Sequence, residues 1–286
     1  MANLKEIRNR ITSIGSTMQI TSAMKMVSAA KLKKAQDAIT AMRPYANKLT
    51  ELLQSLSATL DSEVGGVYAT QRELNKVLIV VITSNRGLCG AFNSSVTKKS
   101  VDLIQNTYTG KQVDVLAIGK KGNDLLSKDN TVIENNSEIF DNLNFDNVAE
   151  IANRLMELFA DESYDKIDIV YNKFKNAATQ IITHEQFLPI VPTTDNENVN
   201  LDYIFEPSKV EIVKGLIPKS LKTQLYKAIR DSFAAEHGAR MTAMHKATDN
   251  ATELRDDLLL QYNKARQAAI TNEILEIVGG AEALNN

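Results

Sequence analysis

The sequence predicts an α/β protein. Two long terminal helices pair as an antiparallel, left-handed coiled coil, and a Rossmann-like α/β domain lies between them in the chain. Three observations predict it: a seven-residue apolar stripe at each end, β-rich runs alternating with helical patterns in the middle, and few helix breakers. The 286 residues include only five prolines and twelve glycines, a scarcity that favours long helices.

Residues 3–60, in a first segment spanning 1–60, read as one helix. Every seventh position from Ile7 gives Ile14, Thr21, Ser28, Ala35, Met42, Leu49 and Leu56. A companion lane runs through Leu4, Ile11 and Met18, then drifts one place to Met24, Ala38, Tyr45 and Leu52. Such lanes mark a heptad seam, whose repeat, shorter than two helical turns, imposes left-handed supercoiling. The seam continues past Pro44, which predicts a kink there and not an end.

Residues 75–205 change period. "KVLIVVIT" (76–83), "VDVLAIG" (113–119), "KIDIVYNKF" (166–174) and "TQIITHEQFLPI" (179–190) read as strands, with helical patterns at 90–107 and 145–162. Strands alternating with helices point to a mostly parallel sheet. The last two strands, joined by "KNAA", read as an antiparallel hairpin, and "TTDNENVN" (193–200) as a polar loop.

Residues 208–286 return to the helical period, with Pro218 expected to separate a short first piece. Met244, Ala247, Ala251, Leu254, Leu258, Gln261, Ala265 and Ala268 step by three and four. Small residues on this seam, and Thr21 and Ser28 on the first helix, let two backbones approach closely. The two terminal helices are therefore expected to pair with each other, antiparallel. At 1.5 Å per residue the second reaches roughly 100 Å.

Composition narrows the function classes. Apolar residues at 43% and charged residues at 24% are ordinary for a globular protein. The single cysteine, Cys89, excludes an internal disulfide or a zinc site of several thiolates, and fits a reducing compartment. The start, "MANLKEIRNR", is charged early and leads into no apolar h-region, so no secretory signal is expected. No apolar run reaches the roughly 18 residues of a membrane span. Residues 1–50 hold nine basic side chains and two acidic ones, +7, so the net −2 leaves −9 for the remainder. A basic segment implies an acidic partner: nucleic acid, anionic lipid or an acidic protein surface.

The loop "SNRGLCGAFN" (84–93) invites a chemical reading. Gly87 and Gly90 precede a helix start, as in a phosphate cradle. Both G-x-x-x-x-G-K-[ST] and G-x-G-x-x-G are missing, however, and "GKKGN" (119–123) is weaker still. Cys89 as a nucleophile needs a base within reach. The histidines are His184, His237 and His245, and the last two belong to the C-terminal helix. Cys89 instead reads as a small buried side chain. His237 and His245 are eight apart, unlike the i, i+4 pair of a metal site, and read as surface or seam residues. The basic helix lacks the interleaved aromatics of a nucleic-acid surface. These readings predict no catalytic residue, metal site or cofactor.

Four blocks carry a resemblance: "LKEIRNRITSIGSTMQITSAMKMVSAAKLKKAQ" (4–36), "RGLCGAFN" (86–93), "EHGARMTAMHKATDNA" (236–251) and "YNKARQAAITNEILEIVGGAEAL" (262–284). In order and spacing they resemble the γ subunits of F-type ATP synthases, from end to end. In that family the coiled coil is a central shaft inside a hexamer of α and β subunits. The globular domain is a foot that binds ε and the membrane c-ring. Proton flow turns ring and shaft, and the asymmetric shaft drives the three β sites through different nucleotide affinities.

The resemblance therefore implies a non-catalytic rotor subunit that couples c-ring rotation to ATP synthesis or hydrolysis. Its partners would be α, β, ε and the c-ring, with no nucleic acid and no membrane span. Its place would be peripheral, on the cytoplasmic face of a bacterial inner membrane. Coupling positions carry over residue by residue: Met24 and Lys25 in "SAMKMV", Arg240 in "GARMTAM", Arg266 and Gln267 in "ARQAAI", and Thr271 and Glu273 in "ITNEIL". Tyr203, Phe205 and Glu206 in "LDYIFEPSK" (201–209) match the stretch placed near the c-ring and ε. Gly15 and Ser16 depart from the polar residues of many relatives. The alternative is a cytoplasmic α/β protein with coiled-coil arms that binds nucleotide or nucleic acid; saturable ATP or DNA binding by the isolated chain would mark it.

Overall fold

A computed structural model describes residues 4–57, 66–190 and 209–284. In chain order it contains α1 (Leu4–Ser57), β1 (Lys76–Ile82), α2 (Phe92–Asp102), β2 (Gln112–Ile118), α3 (Lys120–Leu126), β3 (Val132–Asn135), α4 (Phe145–Ala160), β4 (Lys166–Phe174), β5 (Gln180–Leu188) and α5 (Lys209–Leu284). The chain divides into two compact units, Ala29–Arg240 on one hand and Met1–Ser28 with Met241–Asn286 on the other. Tyr203, Phe205, Glu206 and the polar loop at 193–200 lie outside the described residues.

The unit Ala29–Arg240 is built on one five-stranded sheet in the order β3-β2-β1-β4-β5. β1 pairs parallel with β2 and β4, β3 adds parallel to β2, and β5 closes the edge antiparallel to β4. β1 is apolar and buried after its first residue because both of its faces are covered, the arrangement a parallel sheet needs. On one face Leu78, Val80 and Ile82 meet Leu155 and Phe159 of α4 and Leu225 of α5. On the other, Val77, Ile79 and Val81 pack with Val96 and Leu103 after β1 and Leu126 of α3. Each such side chain contributes about 1.5–3 kcal/mol by leaving water. α4 starts where the Asn144 side chain accepts the backbone N–H of Asn147 at 2.8 Å, one of the orphan donors of a helix start.

The strands and the β4–β5 hairpin fall where the sequence puts them, and the pattern at 90–107 forms α2 continued by a wider turn over Leu103–Thr107. Two elements were not legible. α3 is a single short helix behind Gly119, and β3 is four residues on the sheet edge, too short to show a period. One expectation is overturned: α5 does not break at Pro218 but runs through it. Proline there forfeits a backbone hydrogen bond, but Ile217, Leu221 and Leu225 are buried on either side, and that packing carries the helix across. α1 likewise runs through Pro44.

In the other unit, the start of α1 lies antiparallel to the distal part of α5. Arg8 Nη2 donates to the Tyr262 hydroxyl at 2.6 Å, Thr252 Oγ1 to Met18 Sδ at 3.2 Å, and the hydroxyls of Thr21 and Thr248 meet at 2.8 Å. Partner numbers rise on one helix as they fall on the other, which fixes the direction. Ile7, Thr21 and Ser28 are buried on the first helix, and Met244, Ala251 and Leu258 on the second.

The companion lanes need correction. On α1 the lane does not drift but keeps the seven-residue step, Leu4, Ile11, Met18 and Lys25, then Leu32, Ile39 and Ala46 within the sheet-bearing unit. Tyr45 is 59% exposed. The half-buried Lys25 occupies an apolar register position by its stem, as amphipathic side chains do. On α5, Leu254 is 51% exposed, and Gln261 and Ala268 are also exposed. Their places are taken by Thr248, Arg255 and Tyr262, a polar lane that a search for apolar periodicity passes over.

Candidate partner-contact site

The loop after β1 emerges at the carboxyl end of the sheet, where the chain first turns to β2 and later returns to β4. In doubly wound folds this switch point is where ligands bind. Here the loop's donors are turned on the chain itself. The Ser84 N–H goes to Asn93 Oδ1 at 2.9 Å, and Asn93 Nδ2 to Ser84 Oγ at 2.9 Å and Cys89 Sγ at 3.3 Å. The amides of Lys120 and Lys121 donate to Asn85 Oδ1 and the Ser84 carbonyl, both at 3.0 Å. Asn172 of β4 holds the Phe92 carbonyl at 3.0 Å. Cys89 is buried as expected. Burial pushes its thiol up, against the opposing pull of the Ser84 hydrogen bond and the Arg240 charge.

Two backbone conformations shape this corner. Gly119 has φ +116°, and a Cβ there would land on the Thr83 carbonyl and 2.7 Å from Thr83 Oγ1, so only glycine fits. Leu88 has φ +62° at the loop tip and is 64% exposed.

Arg240 closes the loop from α5. Its Nη2 donates to the carbonyls of Arg86 at 3.0 Å and Gly87 at 3.2 Å, and its Nη1 to Glu236 Oε1 at 2.6 Å. The guanidinium is thus a planar fork that serves two consecutive carbonyls and a carboxylate, a task a point-charge lysine does not reproduce. Burial raises the Glu236 carboxyl above the ordinary range, and Arg240 pulls it back. His237 is not on the surface but buried, its Nδ1 3.5 Å from Arg240 Nη1 and its ring edge-on to Phe233. Burial first, then the charges of Arg240 and Lys31, push it down to about 4. His245 is exposed beside Asp249, and His184 Nε2 lies 2.7 Å from the buried Asp168, which also accepts the Tyr108 hydroxyl.

The remaining positions fall in the paired-helix unit. Met24 and Lys25 are half-buried, whereas Arg266, Gln267, Thr271 and Glu273 are exposed, as is every residue from 270 to 281. Ile270, Ile274, Leu275, Ile277 and Val278 thus present apolar surface. In the register set by Thr21 and Thr248, Met24 stands level with residues near 245. Gln267 lies roughly 30 Å farther along α5 at 1.5 Å per residue, so the two do not touch. Glu236 and the polar lane of Thr248, Arg255 and Tyr262 carry no sequence signal beyond their spacing. Among the described residues, no cluster of His, Cys, Asp and Glu suits a metal ion, and no helix is long and apolar enough to cross a membrane.

Comparison with known proteins gives one consistent result. The family profile described as ATP synthase matches residues 3–284. The ATP synthase gamma chain of Flavobacterium johnsoniae is 74% identical over 286 residues, covering all of both chains, and that of Christiangramia forsetii is 68% identical over 285. A chain in the central stalk and c-ring structure of the Tetrahymena thermophila mitochondrial ATP synthase has a TM-score of 0.61 at 28% identity, covering 80% of this chain and 99% of its own. A chain of the Euglena gracilis mitochondrial ATP synthase shares the fold at TM-score 0.71 and 21% identity, covering 98% and 94%. On the full-length match and the close relatives, the chain belongs to the family of ATP synthase γ chains.

Proposed function

We propose that the chain turns as the central-stalk rotor of an ATP synthase, transmits torque and carries no catalytic site of its own. As a γ chain it is the subunit that links rotation in the membrane sector to nucleotide chemistry elsewhere in the complex. The match over residues 3–284 carries this reading, and the exposed last turns of α5 support it. Residues 270–281 are exposed on every side, with five large apolar residues among them, a surface that calls for surrounding partner subunits.

The partners of this reading are the α and β subunits, ε and the c-ring. The solved Tetrahymena relative comes from a structure of the central stalk with the c-ring. Arg266, Gln267, Thr271 and Glu273 on the exposed helix form one coupling patch toward the β subunits, and Met24 and Lys25, roughly 30 Å away along the paired helices, form another. Tyr203, Phe205 and Glu206 are assigned the contact with the c-ring and ε on the sequence match of "LDYIFEPSK" alone. Exposed ion pairs of about 0.2–1 kcal/mol suit a surface that must slide, because no single contact traps it. The +7 charge of residues 1–50 attracts acidic loops. The assembly sits on the cytoplasmic face of a bacterial inner membrane.

Purification of a tagged chain from its source membranes tests the reading. An α/β ring with ATPase activity should accompany it, and the isolated chain should bind neither ATP nor DNA saturably. Saturable binding of either by the isolated chain, with no ring recovered, would favour a nucleotide- or nucleic-acid-binding protein instead.

A further inference from the structure

We propose that Asp231 is a proton-operated clasp between α5 and α1: protonated, it lies buried without a charge, and on losing the proton it draws in Arg43 as its partner. The inference goes beyond the rotor reading and does not depend on it. Asp231 is 1% exposed, and among the described residues its Oδ1 has no hydrogen-bond partner. The hydroxyl of the adjacent Ser232 is buried without one as well. An ionised carboxylate taken out of water needs its oxygens paired, whereas the neutral acid gives up far less solvation. An orphaned carboxyl oxygen at such depth therefore describes the protonated state.

The surroundings supply the second state. Arg43 of α1, Lys227 of α5 and Lys173 of β4 stand close enough for their charges to act on Asp231, yet they leave its Oδ1 without a partner. Arg43 and Lys173 are exposed and Lys227 is half-buried, so all three side chains have water to turn in. From β5 the group is faced by Glu185, whose Oε1 accepts the hydroxyl of Tyr171 of β4 at 2.9 Å. That hydroxyl is thereby spent, and Glu185 opposes ionisation of Asp231 as a like charge. Burial pushes the Asp231 carboxyl up most. Arg43 pulls it back, followed by Lys227 and Lys173, and Glu185 adds to the rise.

Arg43 is the strongest of the opposing charges, and only its side chain has to move. Ile39 and Ala46 of α1 are buried on either side of it, which holds the backbone there in both states. Loss of the proton adds an ion pair between α1 and α5 that offsets part of the cost of the buried charge. The sign follows from the direction of the shift. A carboxyl raised by folding stabilises the protein below its free value of 3.8, and that contribution is lost as pH climbs through the folded value.

The test compares the full-length chain with Asp231→Asn, an uncharged mimic of the acid. At about pH 5, where a free aspartate is already ionised, their infrared difference spectrum should still show the carbonyl band of a protonated carboxylic acid. The band should fade as pH is raised further. In denaturant titrations the folding constant of the parent, relative to Asp231→Asn, should fall about tenfold between pH 4 and pH 7. Arg43→Gln should move the fading of the band to higher pH, because the ionised state has lost its partner. Absence of the acid band at pH 5, a pH-independent stability ratio, or an Asp231→Asn chain that does not fold would each overturn the inference. Fading at the same pH in Arg43→Gln as in the parent would overturn the clasp, since Arg43 would then not be the partner.

Discussion

Replacing Ala251 by leucine tests how the paired helices meet. Ala251 is 9% exposed and lies between two cross-helix contacts, Thr21 to Thr248 at 2.8 Å and Thr252 to Met18 Sδ at 3.2 Å. A hydroxyl–hydroxyl contact across the seam requires close backbones, so the added carbons of leucine have nowhere to go. Overpacking of this kind costs about 1–3 kcal/mol, and parting the threonine hydroxyls adds about 1 kcal/mol. Hydrogen exchange of the α1 amides around Met18 and Thr21 reads the loss directly. Local opening made easier by about 2–4 kcal/mol in all should speed exchange about 30- to 900-fold. Leu254→Ala is the internal comparison, because the apolar periodicity alone puts Leu254 in the seam, where truncation would cost about 2–5 kcal/mol. Half-exposed as it is, truncation should cost at most about 1 kcal/mol. Exchange unchanged in Ala251→Leu, or faster in Leu254→Ala than in Ala251→Leu, would refute the polar-lane register.

Two further outcomes follow from the sheet-bearing unit and from α1. Gly119→Ala should destabilise by about 2–4 kcal/mol in denaturant titrations, since its Cβ meets Thr83 at a φ closed to other residues. Gly15→Ala, whose Cβ meets nothing within 4 Å, should gain about 0.5–1 kcal/mol from its helical position. Acid should also act through His237. Its pKa is about 4 when folded and 6.5 when free, so the folded state resists its protonation. Stability is full above the free value and falls as pH drops toward the folded one, by about 2 kcal/mol between pH 7 and pH 5. His237→Gln, which cannot charge, should lack that loss. The raised carboxyls of Asp231 and Glu236 act in the opposite sense and are common to both proteins. Parallel stability curves for parent and His237→Gln over this range would contradict the buried neutral imidazole.

What the sequence disclosed, and what it hid, follows from how each element is stabilised. The lane from Ile7 through Thr21, Ser28 and Ala35 to Leu49 was readable because small or apolar residues recur at one register position. Its companion is hidden at Lys25 because a lysine stem can occupy a seam that its charge alone would not enter. The α5 lane of Thr248, Arg255 and Tyr262 holds its neighbour by hydrogen bonds, which leave no hydrophobic period. Pro218 misled because local propensity yields to the burial of Ile217 and Leu221. Cys89 was legible as a buried side chain in a loop lacking phosphate-binding signatures. The role of Arg240 in that loop was not, since its partners stand about 150 residues away in the chain and a contact at that separation leaves no local pattern.

The most direct test of the account is whether this chain turns. With the α/β ring fixed to a surface and a bead attached through Lys128→Cys, an exposed position after α3, addition of ATP should drive rotation in one direction that stops when ATP is withdrawn. A ring that hydrolyses ATP at full rate around a motionless chain would contradict it.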